Sequence, residues 1–226
     1  MCNSELSLDW KQLADLPDAE GFAGSYAGVS NGALIVAGGA NFPEKPLWEG
    51  GPKRWTDRVF VMTADSAGWL DATPLPKPLG YGATATLPQG MMIIGGSNVG
   101  GAVADCYMLT WDGKDVSYRT LPSLPVTLTG HAAAVMGGKV YVQGGSIAVG
   151  EQDAESRKWI YDPAADTWSE GEPLPGRGRS CTRWLSSATR SMCWAVSVSF
   201  PERMAARCAR CSPRPGAIPR RPAGVV

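Results

Sequence analysis

The sequence predicts an all-β fold built from repeated short sheets, and three observations carry that expectation. First, an aromatic residue followed after five positions by Leu-Pro recurs four times: Trp10 before Leu16-Pro17, Trp69 before Leu75-Pro76, Tyr118 before Leu124-Pro125 and Trp168 before Leu174-Pro175. The intervals between these aromatics are 59, 49 and 50 residues. Second, an apolar run closes on Gly-Gly three times in the same register: ALIVAGG (33–39), MMIIGG (91–96) and KVYVQGG (139–145). Third, no stretch carries a sustained apolar stripe at helical spacing, so helices are not expected.

Each repeat resolves into about four strand-like stretches. The strand before each Gly-Gly run is SYAGVS (25–30), GATATLP (82–88) or HAAAVM (131–136). The strand after it is RVFVMT (58–63), CYMLTW (106–111) or KWIYD (158–162). Gly, Asn-Gly, Asp-Gly and Pro separate them as turns. Four short strands per unit and a period near 50 point to β-propeller blades of the kelch type. Gly-Gly then ends the second strand beside the central channel, where backbones crowd and positive φ is needed. The recurring Trp or Tyr lies near the outer strand, where a large ring fills the wedge between blades.

Composition narrows the chemistry. The 226 residues include 21 basic and 21 acidic side chains and one histidine. A single histidine rules out any multi-histidine metal site, so no metal is expected. No apolar run reaches the length of a membrane span, and no membrane partner is expected. The polar opening MCNSELSLDWKQ does not read as a signal peptide, so a cytoplasmic location is expected, or a periplasmic one if the native N-terminus lies upstream. The zero net charge averages two unlike segments. Residues 1–178 hold 12 Lys/Arg against 20 Asp/Glu, a net of −8, and residues 179–226 hold nine Arg against Glu202, a net of +8. Of the 28 glycines, 26 precede residue 179, whereas four of the six cysteines follow it. The chain is therefore expected to divide into a partial propeller, 1–178, and an Arg/Cys/Pro-rich tail, 179–226.

A narrower resemblance lies in residues 20–108. The stretches EGFAGSYAGVSNGALIVAGGANFPEKPLWEGGPKRWTDRVFVM and GYGATATLPQGMMIIGGSNVGGAVADCYML resemble the N-acetylneuraminate epimerase (sialic acid mutarotase) family. Gly-Phe-Ala-Gly at 21–24 and the loop 40–56 are its specific parts. The position of the stretch at the start of the chain resembles the cyclically permuted branch. The resemblance implies a six-bladed kelch propeller, of which about three blades are present. It implies a mutarotase interconverting anomers of N-acetylneuraminate, a small-molecule sugar acid, by acid/base-assisted ring opening without a cofactor. A kelch protein-interaction module without chemistry is the alternative. Oligomeric state is not indicated.

Loop 40–56, ANFPEKPLWEGGPKRWT, follows a Gly-Gly and should project over one mouth of the channel. By resemblance its Glu49 is the candidate acid/base, and Lys53 or Arg54 the partner of the sugar carboxylate. Asn41 and Asn98 follow Gly-Gly pairs and should line the same mouth, binding sugar hydroxyls or capping turns. His131 opens a strand and is either an acid/base near neutral pH or a structural hydrogen bonder. Arg177, after a Leu-Pro-Gly turn, takes the matching place in the next blade and would face the channel.

The tail resembles a shifted reading frame more than a nucleic-acid arm, and no nucleic-acid partner is expected. It has no lysine, and its Cys208-x2-Cys211 pair has no histidine or second knuckle to complete a zinc site. Leu174-Pro175 calls for a further Gly-Gly at 194, where Trp194 and Ala195 stand. Reading the third base of each codon with the first two of the next forces Val-Leu-Gly across Met192 to Ala195 and permits a second Gly at Ala195–Val196. The same frame forces His or Tyr across Cys181–Thr182, matching the 13-residue separation of His131 and Gly144. The frame is therefore expected to change between about residues 176 and 180. The 226-residue product, lacking the blades that close a ring, is expected to be poorly stable or aggregation-prone. Resequencing the gene checks the frame: a one-base insertion or deletion near codon 178 is the expected outcome, and an intact single frame with this tail in homologous proteins contradicts it.

Overall fold

The computed structural model describes residues 12–149, 154–173, 175 and 178, and the backbone of 182–187 and 190–195. Trp10, Leu174, Arg177 and most of the tail lie outside the described residues. The first sheet contains β1 (Tyr26–Ser30), β2 (Ala33–Ala37), β5 (Val59–Met62) and β6 (Leu70–Ala72), with a small ribbon of β3 (Ala40–Asn41) and β4 (Arg54–Trp55) beside it. The second contains β7 (Ala83–Leu87), β8 (Gly90–Asn98), β9 (Gly101–Trp111) and β10 (Val116–Leu121). The third contains β11 (Thr129–Met136), β12 (Lys139–Ser146), β13 (Lys158–Asp162) and β14 (Thr167–Gly171). Each is a four-stranded antiparallel meander in chain order, which is the form of a kelch blade. Among the described residues the sheets are not closed into a full ring. A hairpin of β15 (Thr182–Ser187) and β16 (Arg190–Ala195) follows.

The first strands of successive sheets neighbour one another, β1 against β7, β7 against β11 and β11 against β15. They are the inner strands, and the blades radiate outward from them. The second strands lie between neighbouring sheets, and β8 is accordingly buried on both faces from Gly90 to Ser97. The inner strand β7 alternates instead, with Ala83, Ala85 and Leu87 buried and Thr86 exposed. Two apolar clusters result. One joins sheets one and two through residues such as Ile35, Val61 and Met91, and the other joins sheets two and three through Ile94, Leu128 and Val142.

The Leu-Pro motif is the first half of a strap that fastens each blade to the one before it. Segment 75–79 is Leu-Pro-Lys-Pro-Leu and segment 124–128 is Leu-Pro-Val-Thr-Leu. The leading Leu75 and Leu124 donate to Asp57 O (2.8 Å) and Ala104 O (2.9 Å) of the preceding blade. The closing Leu79 and Leu128 donate to Thr56 O (3.3 Å) and Val103 O (3.0 Å), and accept from Gly39 N (2.7 Å) and Gly96 N (2.8 Å), the second glycine of each pair. All four leucine side chains are buried. The glycines are required by geometry as well as by φ. Gly95 has φ 51°, and a Cβ there would lie 2.7 Å from Leu128 O and 2.9 Å from His131 Cε1.

The aromatics behave as wedges in two blades. Trp69 Nε1 donates to Ala14 O (2.8 Å), and Trp168 Nε1 to the equivalent Pro122 O (2.8 Å) while its ring packs on Tyr161 at 5.1 Å. Tyr118 has no ring N–H and is exposed. At that seam Asp115 takes over, accepting from Thr73 N (2.8 Å) and Thr73 Oγ1 (2.6 Å). Among the described residues the one helical element is a 3-10 turn, Leu47–Glu49, and no helix is long and apolar enough to cross a membrane.

Gly95→Ala should destabilise the fold by about 2 kcal/mol or more, because the left-handed backbone and the Leu128 carbonyl both reject a methyl group. Gly68→Ala, where nothing lies within 4 Å, should stay within about 0.5 kcal/mol of the parent. Chemical denaturation of the two variants makes the comparison.

Candidate functional site

The Gly-Gly ends of the second strands and the entries to the inner strands gather at one mouth. Gly24, Tyr81 and Gly130 each stand 14 residues before the first glycine of a pair, at 38, 95 and 144. Their backbones form a chain across the blades: Tyr81 N donates to Gly24 O (2.7 Å) and Gly130 N to Tyr81 O (2.8 Å). All three have left-handed φ, 69°, 63° and 64°. Glycine adopts this freely, whereas a tyrosine incurs about 1–2 kcal/mol. Tyr81 is thus the one member of the trio whose backbone is strained. Its ring lies over Gly24, where a Cβ would come within 2.7 Å of it.

Loop 40–56 rises from the same end. Its base is the β3–β4 ribbon, in which Ala40 pairs with Trp55 and Asn41 with Arg54. In the second sheet the equivalent Asn98 pairs with Gly101 across a two-residue turn. Residues 42–53 therefore replace a tight turn. Inside the loop Gly50, at φ 76°, closes the 3-10 turn by donating to Leu47 O (3.0 Å). Gly51 has no room for a side chain against the Lys45 carbonyl.

The loop's charges separate into a self-satisfied pair and two unpaired groups. Arg54 and Glu44 hold each other at 2.6 Å on the exposed side. Glu49 is exposed on the 3-10 turn beside the exposed Trp48; its N–H donates to Pro46 O (3.0 Å), and its carboxylate has no hydrogen bond or ion pair among the described residues. Lys53 has no carboxylate partner among the described residues. Its Nζ lies 3.7 Å from the Tyr81 ring centroid and 4.8 Å from that of Trp55. The buried Trp55 Nε1 donates to nothing among the described residues. The alternatives Lys53 and Arg54 thus differ in surroundings: the arginine pairs with Glu44, and the lysine lies against the Tyr81 and Trp55 rings.

The amides have local partners. Asn41 Nδ2 donates to Asp18 Oδ1 at 3.2 Å, and Asn98 Oδ1 accepts from Gly100 N at 2.8 Å, the turn-capping arrangement. His131 is buried between blades, with Nε2 at 3.0 Å from Ile94 O. A carbonyl only accepts, so Nε2 carries the proton, and Nδ1 has no partner among the described residues. Burial lowers the His131 pKa to about 4, with the Ile94 bond opposing it, so the ring is neutral at pH 7. This surrounding ties His131 to the seam between the second and third blades. Arg177 lies outside the described residues. Tyr81, whose ring lies against Lys53, is a residue that sequence reading passed over. Alignment of the repeats on Gly-Gly would have placed it in a column with two glycines.

The sequence model of the N-acetylneuraminate epimerase family matches residues 2–118, and a kelch motif matches residues 127–175. The chain belongs to the N-acetylneuraminate epimerase family. The N-acetylneuraminate epimerase of Brucella suis (strain ATCC 23445 / NCTC 10510) is 36% identical over 124 residues, which are 48% of this chain and 31% of that protein. That of Vibrio cholerae serotype O1 is 36% identical over 130 residues, 50% of this chain and 33% of that protein. That of Yersinia pestis is 35% identical over 124 residues, 47% of this chain and 31% of that protein. The chain spans about a third of the length of these curated relatives. The family match covers loop 40–56, Tyr81 and the first two blades.

His131 sets a pH dependence whose sign follows from its depressed pKa. Above about pH 6.5 the ring is neutral folded or unfolded and contributes no pH dependence. As pH falls from 6.5 toward 4, only the unfolded chain takes up the proton, and stability drops by about 3 kcal/mol. Melting curves across this window should show the decline, and His131→Gln, which keeps a donor toward Ile94 O, should flatten it. The depressed carboxyls Asp115 and Glu155, held by hydrogen bonds from Thr73 and Arg157, lose their contribution at lower pH.

Proposed function

We propose that the intact protein accelerates interconversion of the α and β anomers of N-acetylneuraminate. The observation that carries this is the charge arrangement of loop 40–56 in a member of this family. Glu44 and Arg54 satisfy each other, leaving Lys53 at the mouth without a carboxylate and Glu49 without a cation. An anionic sugar needs a free cation, and anomer exchange needs a free proton carrier.

In this reading Lys53 pairs with the sugar carboxylate. Glu49 takes the proton of the anomeric hydroxyl while the bond from the anomeric carbon to the ring oxygen breaks, and water gives that oxygen a proton, which the protonated Glu49 returns to the solvent. The product is the open-chain keto acid. Rotation about the bond next to the carbonyl and reclosure on its other face reverse the proton movements. His131 stays outside this exchange, since a buried neutral ring in the seam serves the fold. Asn41 and Asn98 bind sugar hydroxyls only through the polar atoms left free by their turn bonds.

The same reading takes residues 1–178 as propeller and 179–226 as a tail in a shifted frame. The β15–β16 hairpin supports a fourth blade at this place, because Thr182↔Ala195 repeats, 51 residues on, the pairing His131↔Gly144. Ala195 then stands where the repeat has glycine.

An NMR time course of freshly dissolved α-N-acetylneuraminate with the frame-corrected protein tests the activity. Acceleration over buffer is expected, with Glu49→Gln lowering kcat by about 100-fold or more. Lys53→Met should raise KM about tenfold, while Arg54→Met should leave it nearly unchanged. No acceleration by the parent protein would reject the enzyme in favour of a kelch interaction module.

A further inference from the structure

We infer that Tyr81 is a positioning residue, whose ring holds the Lys53 ammonium ready for the substrate's carboxylate. The inference rests on the reading of Lys53 given above and assigns a function to the strain at Tyr81. At the two equivalent places the chain uses glycine, Gly24 and Gly130, and all three share the left-handed backbone. The fold therefore gains nothing from a side chain at 81 as far as backbone geometry is concerned. Glycine would serve there and relieve the strain. The retained side chain is the one that meets loop 40–56.

Two aromatic faces take the place of a counter-ion for Lys53, at 3.7 Å from the Tyr81 centroid and 4.8 Å from that of Trp55. A carboxylate at this position would fix the ammonium more firmly, but it would compete with an anionic ligand for the same charge. A ring quadrupole orients the cation and leaves its N–H donors open to an incoming carboxylate. Trp55 Nε1 supplies a further unsatisfied buried donor beside it. Tyr81 is itself anchored at both backbone ends, to Gly24 O and by Gly130 N, so the ring has a fixed base. Gly24 leaves the space in which the ring lies flat.

The experiment separates a positioning role from a structural one because Tyr81→Gly removes the ring and the strain together. In the 226-residue chain, reductive 13C-methylation of the lysines gives one NMR signal per side chain, and Lys53→Arg assigns that of Lys53. The Lys53 signal should lie upfield through the aromatic ring currents. It should move toward the ordinary lysine position in Tyr81→Gly and stay upfield in Tyr81→Phe. In the frame-corrected protein Tyr81→Gly should raise KM for N-acetylneuraminate about tenfold with kcat within about twofold, without lowering the melting temperature. Tyr81→Phe should keep the parental KM, and Tyr81→Gly with Lys53→Met should be no worse than Lys53→Met alone. An unchanged KM in Tyr81→Gly, with KM raised in Lys53→Met, overturns the role of Tyr81 and leaves that of Lys53 standing. A fall in melting temperature and kcat in Tyr81→Gly marks a structural residue and overturns it as well. An unchanged KM in Lys53→Met rejects the reading of Lys53 and this inference with it.

Discussion

Everything in this fold hangs on the contact between the second glycine of each pair and the leucine that enters the next blade. The bond from Gly39 N to Leu79 O, repeated from Gly96 N to Leu128 O, joins the end of one sheet's second strand to the start of the next sheet. A side chain on the first glycine of either pair would meet the strap of the next blade, Gly38 against Leu79 O and Gly95 at 2.7 Å from Leu128 O. Blades built from local meanders have little apolar contact of their own, and they bury their faces only against each other. The strap sets the distance at which Ile94, Leu128 and Val142 close into one cluster. Two side chains lock the same turn from opposite sides: Tyr26 of the first blade donates to Gly95 O at 2.6 Å, and His131 of the third binds Ile94 O.

That constraint also positions the site. Because the glycine pairs fix where every second strand ends, whatever follows them must emerge at the mouth. In the second blade the chain returns at once through the Asn98–Gly101 turn, whereas in the first it makes a long excursion. The site residues thus come from a loop, but their placement comes from a strand end and a rigid ribbon. Lys53 stands at the end of this excursion, next to the returning strand β4.

The strand plan was legible in the sequence because the repeat marks the same physical event each time: Gly-Gly where backbones crowd, an apolar run where a strand is covered on both faces, Leu-Pro where the chain crosses to the next blade. The four-stranded order and the strands' bounds follow within a few residues, as in Lys158–Asp162. The closing leucine of the strap escaped notice because Leu-x-x-x-Leu has no conspicuous residue in its middle. The wedge role of the aromatics was legible for Trp69 and Trp168 but did not extend to Tyr118, where an aspartate substitutes by hydrogen bonding. In the loop, sequence could nominate Lys53 and Arg54 together but could not show that Glu44 reaches Arg54 and leaves Lys53 to the aromatic rings. Tyr81 was hidden because its meaning is a backbone angle.

Net charge says little about which cations stand free of carboxylates. Residues 1–178 carry −8, which at long range opposes an anion, yet ionic screening confines such a field to roughly 10 Å. What an anion meets at contact is decided by which cations are already committed. Arg54, Arg58, Lys77, Arg119, Lys139 and Arg157 each have a carboxylate within ion-pair distance. Of the other described cations, Lys114 lies in the outer turn between β9 and β10, Lys158 opens β13, and Lys45 is exposed on the loop. Lys53 alone among these four is held by aromatic rings at the mouth. Among the described residues, six cations thus lie in ion pairs, and Lys53 is the one held by aromatic rings without a carboxylate.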